Sequence, residues 1–352
     1  MDRHVSDAGL FFLGEYMDSP LALSWEQQID LLKERGLIVE EHDVVKIQNI
    51  SYYRLKEFAQ PFAKDVDGCI KYENITFHEV LGRYYQDKNL RIFLLHALEK
   101  IEVSLKTRIS NLLGLRYGAF GYLNFQIWVN RDKNSKFTVE AEQFRIKKNL
   151  LKVVKRSQLR ELKKDTNLDG DGFPSVWLGI DLLMFGDVIK IVELMNPTHQ
   201  KKLAKCYDCN PEELLSWLGC LNLIRNICAH NSNLVDINLK TKPKVRPYWL
   251  KILNEVTTTA KDGSIIKKPS SKLAIVIMII VELVIKINSK YQWTDIQRVI
   301  KNLCRDNDER AKLLGFKSYY TARKAVDLLL REKRGNDYTQ VSSSKKRFKR
   351  GR

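Results

Sequence analysis

Arg225, Asn226 and His230, within the run Arg-Asn-Ile-Cys-Ala-His, are the residues of this chain whose types and spacing could do chemistry. The chemistry would be the cutting of RNA. RNA carries its own nucleophile, the 2′-OH, so a catalyst need only remove that proton, hold the oxygen in line with phosphorus and stabilise the added negative charge. Histidine as a residue type exchanges protons near neutral pH and can act as base or acid. A guanidinium offers two parallel donors to the phosphorane oxygens. The products would be a 2′,3′-cyclic phosphate and a 5′-OH, formed with neither metal nor cofactor.

These residues close a helical run that begins at Pro211. At about 100° per residue, Leu214, Leu218, Leu221, Arg225 and Cys228 share one face, which sets the arginine in an apolar stripe. An unpaired charge there would cost several kcal/mol. Arg225 is therefore expected either to be paired or to be presented at an interface. His230 follows five positions later, roughly 140° around the helix, so one regular helix does not aim both side chains at one phosphate. Two arrangements resolve this: the helix ends near His230, as the polar run Asn231, Ser232, Asn233 suggests, or a second chain supplies the same motif across a two-fold interface. Both are expected. The bland alternative makes Arg225 a structural ion-pair partner and His230 a cation at a helix C-terminus.

The helices that must position this motif are marked by local signals. Ser24 to Gln27 and Thr76 to Glu79 are capping boxes, the second flanked by Ile75 and Val80 as a hydrophobic staple, and Gly36 stops the first helix. Leu90, Leu94, Leu98, Ile101, Leu105, Ile109 and Leu112 form a stripe ending near Gly114. Glu102 flanks it and is either an acceptor for Arg225 or an i,i+4 partner of Lys106. Further helices are expected over 177–194, over 211–230 and from Leu273 to Ile287. Two basic helices follow between Thr294 and Arg334, and a short hairpin falls between Val235 and Lys272. Asn210, Pro211, Glu212 and Glu213 read as a cap and an acidic first turn, which accounts for the neighbourhood of Cys206 and Cys209 without a metal; with His199 as a third ligand there is no fourth.

Sixty basic residues against 42 acidic ones leave a net charge of +18, which points to a polyanionic partner. Residues 145–164 hold nine basic side chains against Glu161 alone, interleaved with apolar residues, so that Lys148, Lys152, Lys155 and Arg156 are expected on a phosphate-tracking face. Tyr52, Tyr53 and Arg54 could stack on an unpaired base and grip its phosphate, or pack a helix on a core. Residues 1–20 read as a lead without a signal peptide, and 335–352 as a basic tail expected to be disordered. Leu273 to Ile287 is too short and too interrupted, by Glu282 and Lys286, to span a bilayer. Six cysteines read as reduced thiols, and a cytoplasmic location is expected.

The chain resembles the Abi-like family of bacterial abortive-infection proteins, a branch of the HEPN superfamily. The resemblance rests on Leu31, Leu32, Arg35, Gly36 and Leu37, then Ser51 to Leu55, Thr76, Phe77 and Val80. It continues through Tyr84 or Tyr85, Asp87, Leu90 and Arg91, Ile101 to Val103, and Phe185 with Gly186. Its strongest segment is Arg225 to His230 followed by Leu234. Ser232 stands where related sequences often carry a base. The resemblance implies an all-α, HEPN-type helical bundle, about 76–115 and 211–290, inside an Abi-like domain over 21–334 with additional terminal helices and the small hairpin. It implies that Arg225 and His230 occupy nuclease-motif positions, with Asn226 fitting the pattern and Glu102 on the packing helix. RNA would be substrate and regulator, the chain a homodimer, and an antitoxin a further partner. The alternative is a non-catalytic RNA-binding protein whose motif serves dimerisation or regulation.

Overall fold

The computed structural model describes residues 22–40, 43–67, 69–259 and 262–334, so the N-terminal lead and the basic tail lie outside the described residues. The described residues are all-α apart from two antiparallel hairpins. It forms two compact units that meet in sequence between Gly82 and Arg83.

In the first unit, α1 (Trp25–Glu34), α2 (Val44–Asn49) and α3 (Tyr52–Ala59) precede a hairpin of β1 (Ala63–Val66) and β2 (Cys69–Tyr72). Both expected capping boxes are present. Ser24 and Gln27 cap each other, and the Glu79 amide donates to Thr76 Oγ1 at 3.1 Å while Thr76 N–H reaches the Glu79 carboxylate at 3.2 Å. Gly36 ends α1 with φ +89°, and a Cβ there would lie 2.4 Å from the Tyr72 carbonyl oxygen. Only glycine fits both the left-handed turn and that approach. The β1–β2 hairpin was not expected, because its strands are largely exposed and lack the alternation that marks a half-buried strand.

The 41-residue helix α4 (Phe77–Tyr117) carries the chain into the second unit. Its predicted stripe is buried from Leu90 to Ile109, with Leu113 taking over from the half-buried Leu112. Gly114 does not stop the helix. Its missing side chain makes room instead for Val176 and Trp177, whose atoms come within 3.0 Å of where a Cβ would stand.

Then come α5 (Lys136–Arg156), α6 (Val176–Leu182), α7 (Phe185–Leu194), α8 (Pro197–Lys205) and α9 (Pro211–Ala229). The single helix expected over 177–194 is broken at Leu183 and Met184, both extended. The expected hairpin is β3 (Glu255–Thr259) with β4 (Ile265–Pro269). After it, α10 (Leu273–Ile287) is buried from Leu273 to Val284. No helix among the described residues is long and apolar enough to cross a membrane. The two basic helices expected after Thr294 are four shorter ones: α11 (Thr294–Cys304), α12 (Asp308–Leu313), α13 (Tyr319–Arg323) and α14 (325–334).

Candidate active site

The helix α9 begins as its sequence requires. Asn210 and Glu213 form a capping box with Pro211 in the first turn. Leu214, Leu218, Leu221 and Cys228 are buried, and Arg225, on the same stripe, is half-buried. Asn226 and His230 are exposed. The helix closes at His230, whose N–H donates to the Asn226 carbonyl at 2.9 Å. Asn231 takes φ +57°, and Ser232 N–H bonds back to the Ile227 carbonyl at 3.1 Å. This is a Schellman-type stop with asparagine in the left-handed position that glycine usually fills.

What holds this stop in place comes from α4, through residues to which sequence reasoning gave no role. Asp87, fully buried, accepts from Arg91 Nε at 2.8 Å and from the Leu234 and Val235 amides at 2.8 and 2.9 Å. Arg91, itself 4% exposed, donates from Nη1 to Asn231 Oδ1 at 2.8 Å. One helical turn before Asp87, Arg83 pairs with Asp236, which also accepts from Asn233 Nδ2 at 2.9 Å. Burial pushes the Asp87 carboxyl above its usual range, against the pull of Arg91 and the two amides. The residue that follows the candidate histidine is therefore bolted to a buried ion pair. The signal was present in the sequence as Asp87 and Arg91 one turn apart, but nothing local says which segment they grip.

Near the other end of α9, Ser104 Oγ and Tyr207 Oη lie 3.1 Å apart and the Arg108 guanidinium sits 5.3 Å from the Tyr207 ring centre. With Asn231 at Arg91 and Tyr207 at Ser104, α9 runs antiparallel to α4.

Arg225, Asn226 and His230 make no side-chain hydrogen bond or ion pair with any described residue. Of the two partners open to Glu102, Arg225 is not the one it takes. Glu102 binds Lys106 at 2.9 Å, a partner one turn along the same helix that costs less ordering to reach. The structure brings together the motif, Asn231 and the Asp87–Arg91 pair, and leaves Glu102 out.

The remaining candidates divide. Lys148, Lys152, Lys155 and Arg156 are all exposed on α5 without an ion pair to a described residue, whereas their neighbour Arg145 is bound to Glu142 and Asp187. In the first unit, Tyr52 is half-buried with Arg35 Nη1 donating to its hydroxyl at 2.9 Å, so it packs. Tyr53 is 71% exposed and makes only an edge contact with Tyr52, which leaves its ring open to a base. Arg54 is half-buried beside them. At Cys206 and Cys209 the thiols contact the Lys202 and Ala204 carbonyls, as helix-end residues.

Residues 45–236, just over half of the 352, match the family model described as Abi-like protein. The match runs from α2 to Asp236; it takes in the motif and Asp87, and omits α1 and everything after Asp236. Neither a curated protein nor a solved structure matches the chain.

Proposed function

We propose a function on one premise: the chain belongs to the Abi-like protein family, which is tied to abortive infection. On that premise it is a toxin-like, metal-independent RNA endonuclease of HEPN type. One observation carries the reading. Three polar side chains of the motif, Arg225, Asn226 and His230, have no partner among the described residues, at a helix end that a buried ion pair holds in place. A structural arginine would be saturated, and a rigid, unsatisfied cation is what a transferring phosphate needs.

In this mechanism an imidazole takes the 2′-OH proton, the 2′-oxygen attacks phosphorus, and the P–O5′ bond breaks with a proton returned to the leaving oxygen. Arg225 stabilises the pentacoordinate charge and Asn226 orients a phosphate oxygen. Glu102, committed to Lys106, takes no step in the transfer. Base and acid on opposite sides of phosphorus call for two imidazoles, so the working unit is a two-fold dimer that places one His230 from each chain at a composite site. The outward face of α9 suits such a contact: Leu223 is 38% exposed there, and nothing lies within 4 Å of a Cβ placed on Gly219. The charge of +18 suits restraint by a bound regulatory RNA.

The test is cleavage of RNA in EDTA by the wild type and by Arg225→Ala and His230→Ala. Each variant should fall to background, at least about a hundredfold, with helical content unchanged. Mixing the two inactive chains should restore activity in mixed dimers. Full activity in either variant, or loss of wild-type activity to the chelator, would overturn the mechanism; an active monomer by sedimentation would overturn the composite site.

A further inference from the structure

Two adjoining cavities, about 690 and 400 Å³, lie along the outer side of α4 where it passes α6 and α8, and they share Arg108 and Asn111. Three cations line them without a carboxylate partner among the described residues. Arg108 has only Ser104 and the Tyr207 ring, Arg116 rests near the Tyr117 ring at 5.7 Å, and the Lys202 ammonium is unengaged. By contrast Lys106, in the same wall, is bound to Glu102 and to the Asp181 carbonyl. Burial first, and then the charges of Arg116 and Lys202, hold the nearby His199 imidazole below its ordinary value, so the positive field reaches past the groove itself.

At one end stands Trp177, 52% exposed and with no hydrogen bond from its indole N–H to a described residue. It is seated by Gly114, whose absent Cβ would meet Trp177 Cζ2 at 3.0 Å. A glycine inside a helix costs roughly 1 kcal/mol relative to alanine. Here it holds a large aromatic ring against a helix while about half of the residue faces water, the reverse of what core packing would select. An indole platform beside unpaired cations is the arrangement that grips single-stranded nucleic acid by stacking and phosphate contact. Arg108 and Arg116 are about 12 Å apart along α4, roughly two nucleotide steps of an extended strand and too far for one small anion.

We infer that this groove is a second RNA-contacting site, which takes an unpaired strand with a base on Trp177 and its phosphates on Arg108, Arg116 and Lys202. It is distinct from the motif: Arg91, which holds the motif end, is about 26 Å along α4 from Arg108. The inference rests on the preceding section for the choice of RNA, and not for cleavage.

The experiment measures binding of the full-length protein to a short 2′-O-methyl oligouridylate, which no 2′-OH attack can cut, across a salt series. Trp177→Ala should weaken binding about five- to tenfold or more, and Trp177→Phe should recover most of it. Changing Arg108, Arg116 and Lys202 together to Gln should flatten the salt slope by about 2. Wild-type affinity and slope in the Ala and Gln variants would overturn the inference, and so would uridine monophosphate competing as strongly per mole as the oligomer. Cleavage lost by His230→Ala but binding unmoved by the groove variants sinks the groove alone. The reverse pattern sinks the nuclease reading and leaves the groove.

Discussion

Two arginines in the second unit face the same physical problem and meet it in opposite ways. Arg246, 13% exposed, is saturated: Nε and Nη2 reach Glu213 at 2.9 and 3.3 Å, Nη2 also reaches the Asp208 carbonyl at 2.7 Å, and Nη1 reaches Tyr248 at 3.0 Å and Glu282 at 3.1 Å. Burial works to lower its affinity for its proton, but Glu213 and Glu282 more than offset that. Glu282, the acid that interrupts the apolar helix α10, is in turn satisfied by Tyr248, Trp249, Arg246 and Lys333. Arg225, half-buried on the apolar stripe of α9, has no such partner among the described residues. A buried cation that serves the fold is surrounded by acceptors. One that serves a ligand keeps its donors free, and the fold stabilises the backbone around it instead.

The sharpest way to break that comparison is to truncate both. Arg246→Ala should lose about 3 kcal/mol of unfolding free energy, because Glu213 is left without its cation while Glu282 keeps only Lys333 of its two. Arg225→Ala should change stability by no more than about 0.5 kcal/mol while cleavage disappears. Equal destabilisation in denaturant melts would make Arg225 a structural residue after all.

The bolt beneath the motif comes next. Asp87→Ala leaves Arg91 buried without its carboxylate and the Leu234 and Val235 amides unbonded, with a cost of about 2–4 kcal/mol. The amides of 231–235 should lose hydrogen-exchange protection before those of α10 do. Protection that fell uniformly would mean that Asp87 supports the whole unit and not the motif end.

A smaller effect belongs to α5. Neutralising Lys148, Lys152, Lys155 and Arg156 should leave the melting curve in place, weaken RNA binding for all sequences about equally, and flatten the salt slope by about 3. Unchanged affinity would make this an ordinary solvated face.

The smallest concerns His199, 1% exposed, whose imidazole is held below its ordinary value by burial and then by Arg116 and Lys202. With the folded value below the unfolded one, the unfolded chain binds more protons in the interval between them, so stability is lost as pH falls through that interval below about 6.5. His199→Gln should flatten this part of the stability profile. A wild-type profile level through the same interval would show that the ring accepts its proton without cost.

Much of the fold was legible because it is local. The capping boxes at Ser24 and Thr76, the N-cap at Asn210, the buried stripe of α4 and the stop at His230 all follow from residues within a turn or two of one another. Where a reading failed, the deciding partner lay far along the chain. Gly114 looks like a terminator until Trp177 is laid against it. Of the two partners open to Glu102, the local one, Lys106, holds it. The motif stood out from its residue types alone, yet its setting did not, since Asp87 and Arg91 meet Asn231 and Leu234 across some 140 residues of chain. Composition, periodicity and capping act through neighbours in sequence, and those determined the helices, their main boundaries and the basic charge. Which cations end up neutralised and which stay open depends on the acceptors that packing brings within about 3 Å, and that only the tertiary structure decided.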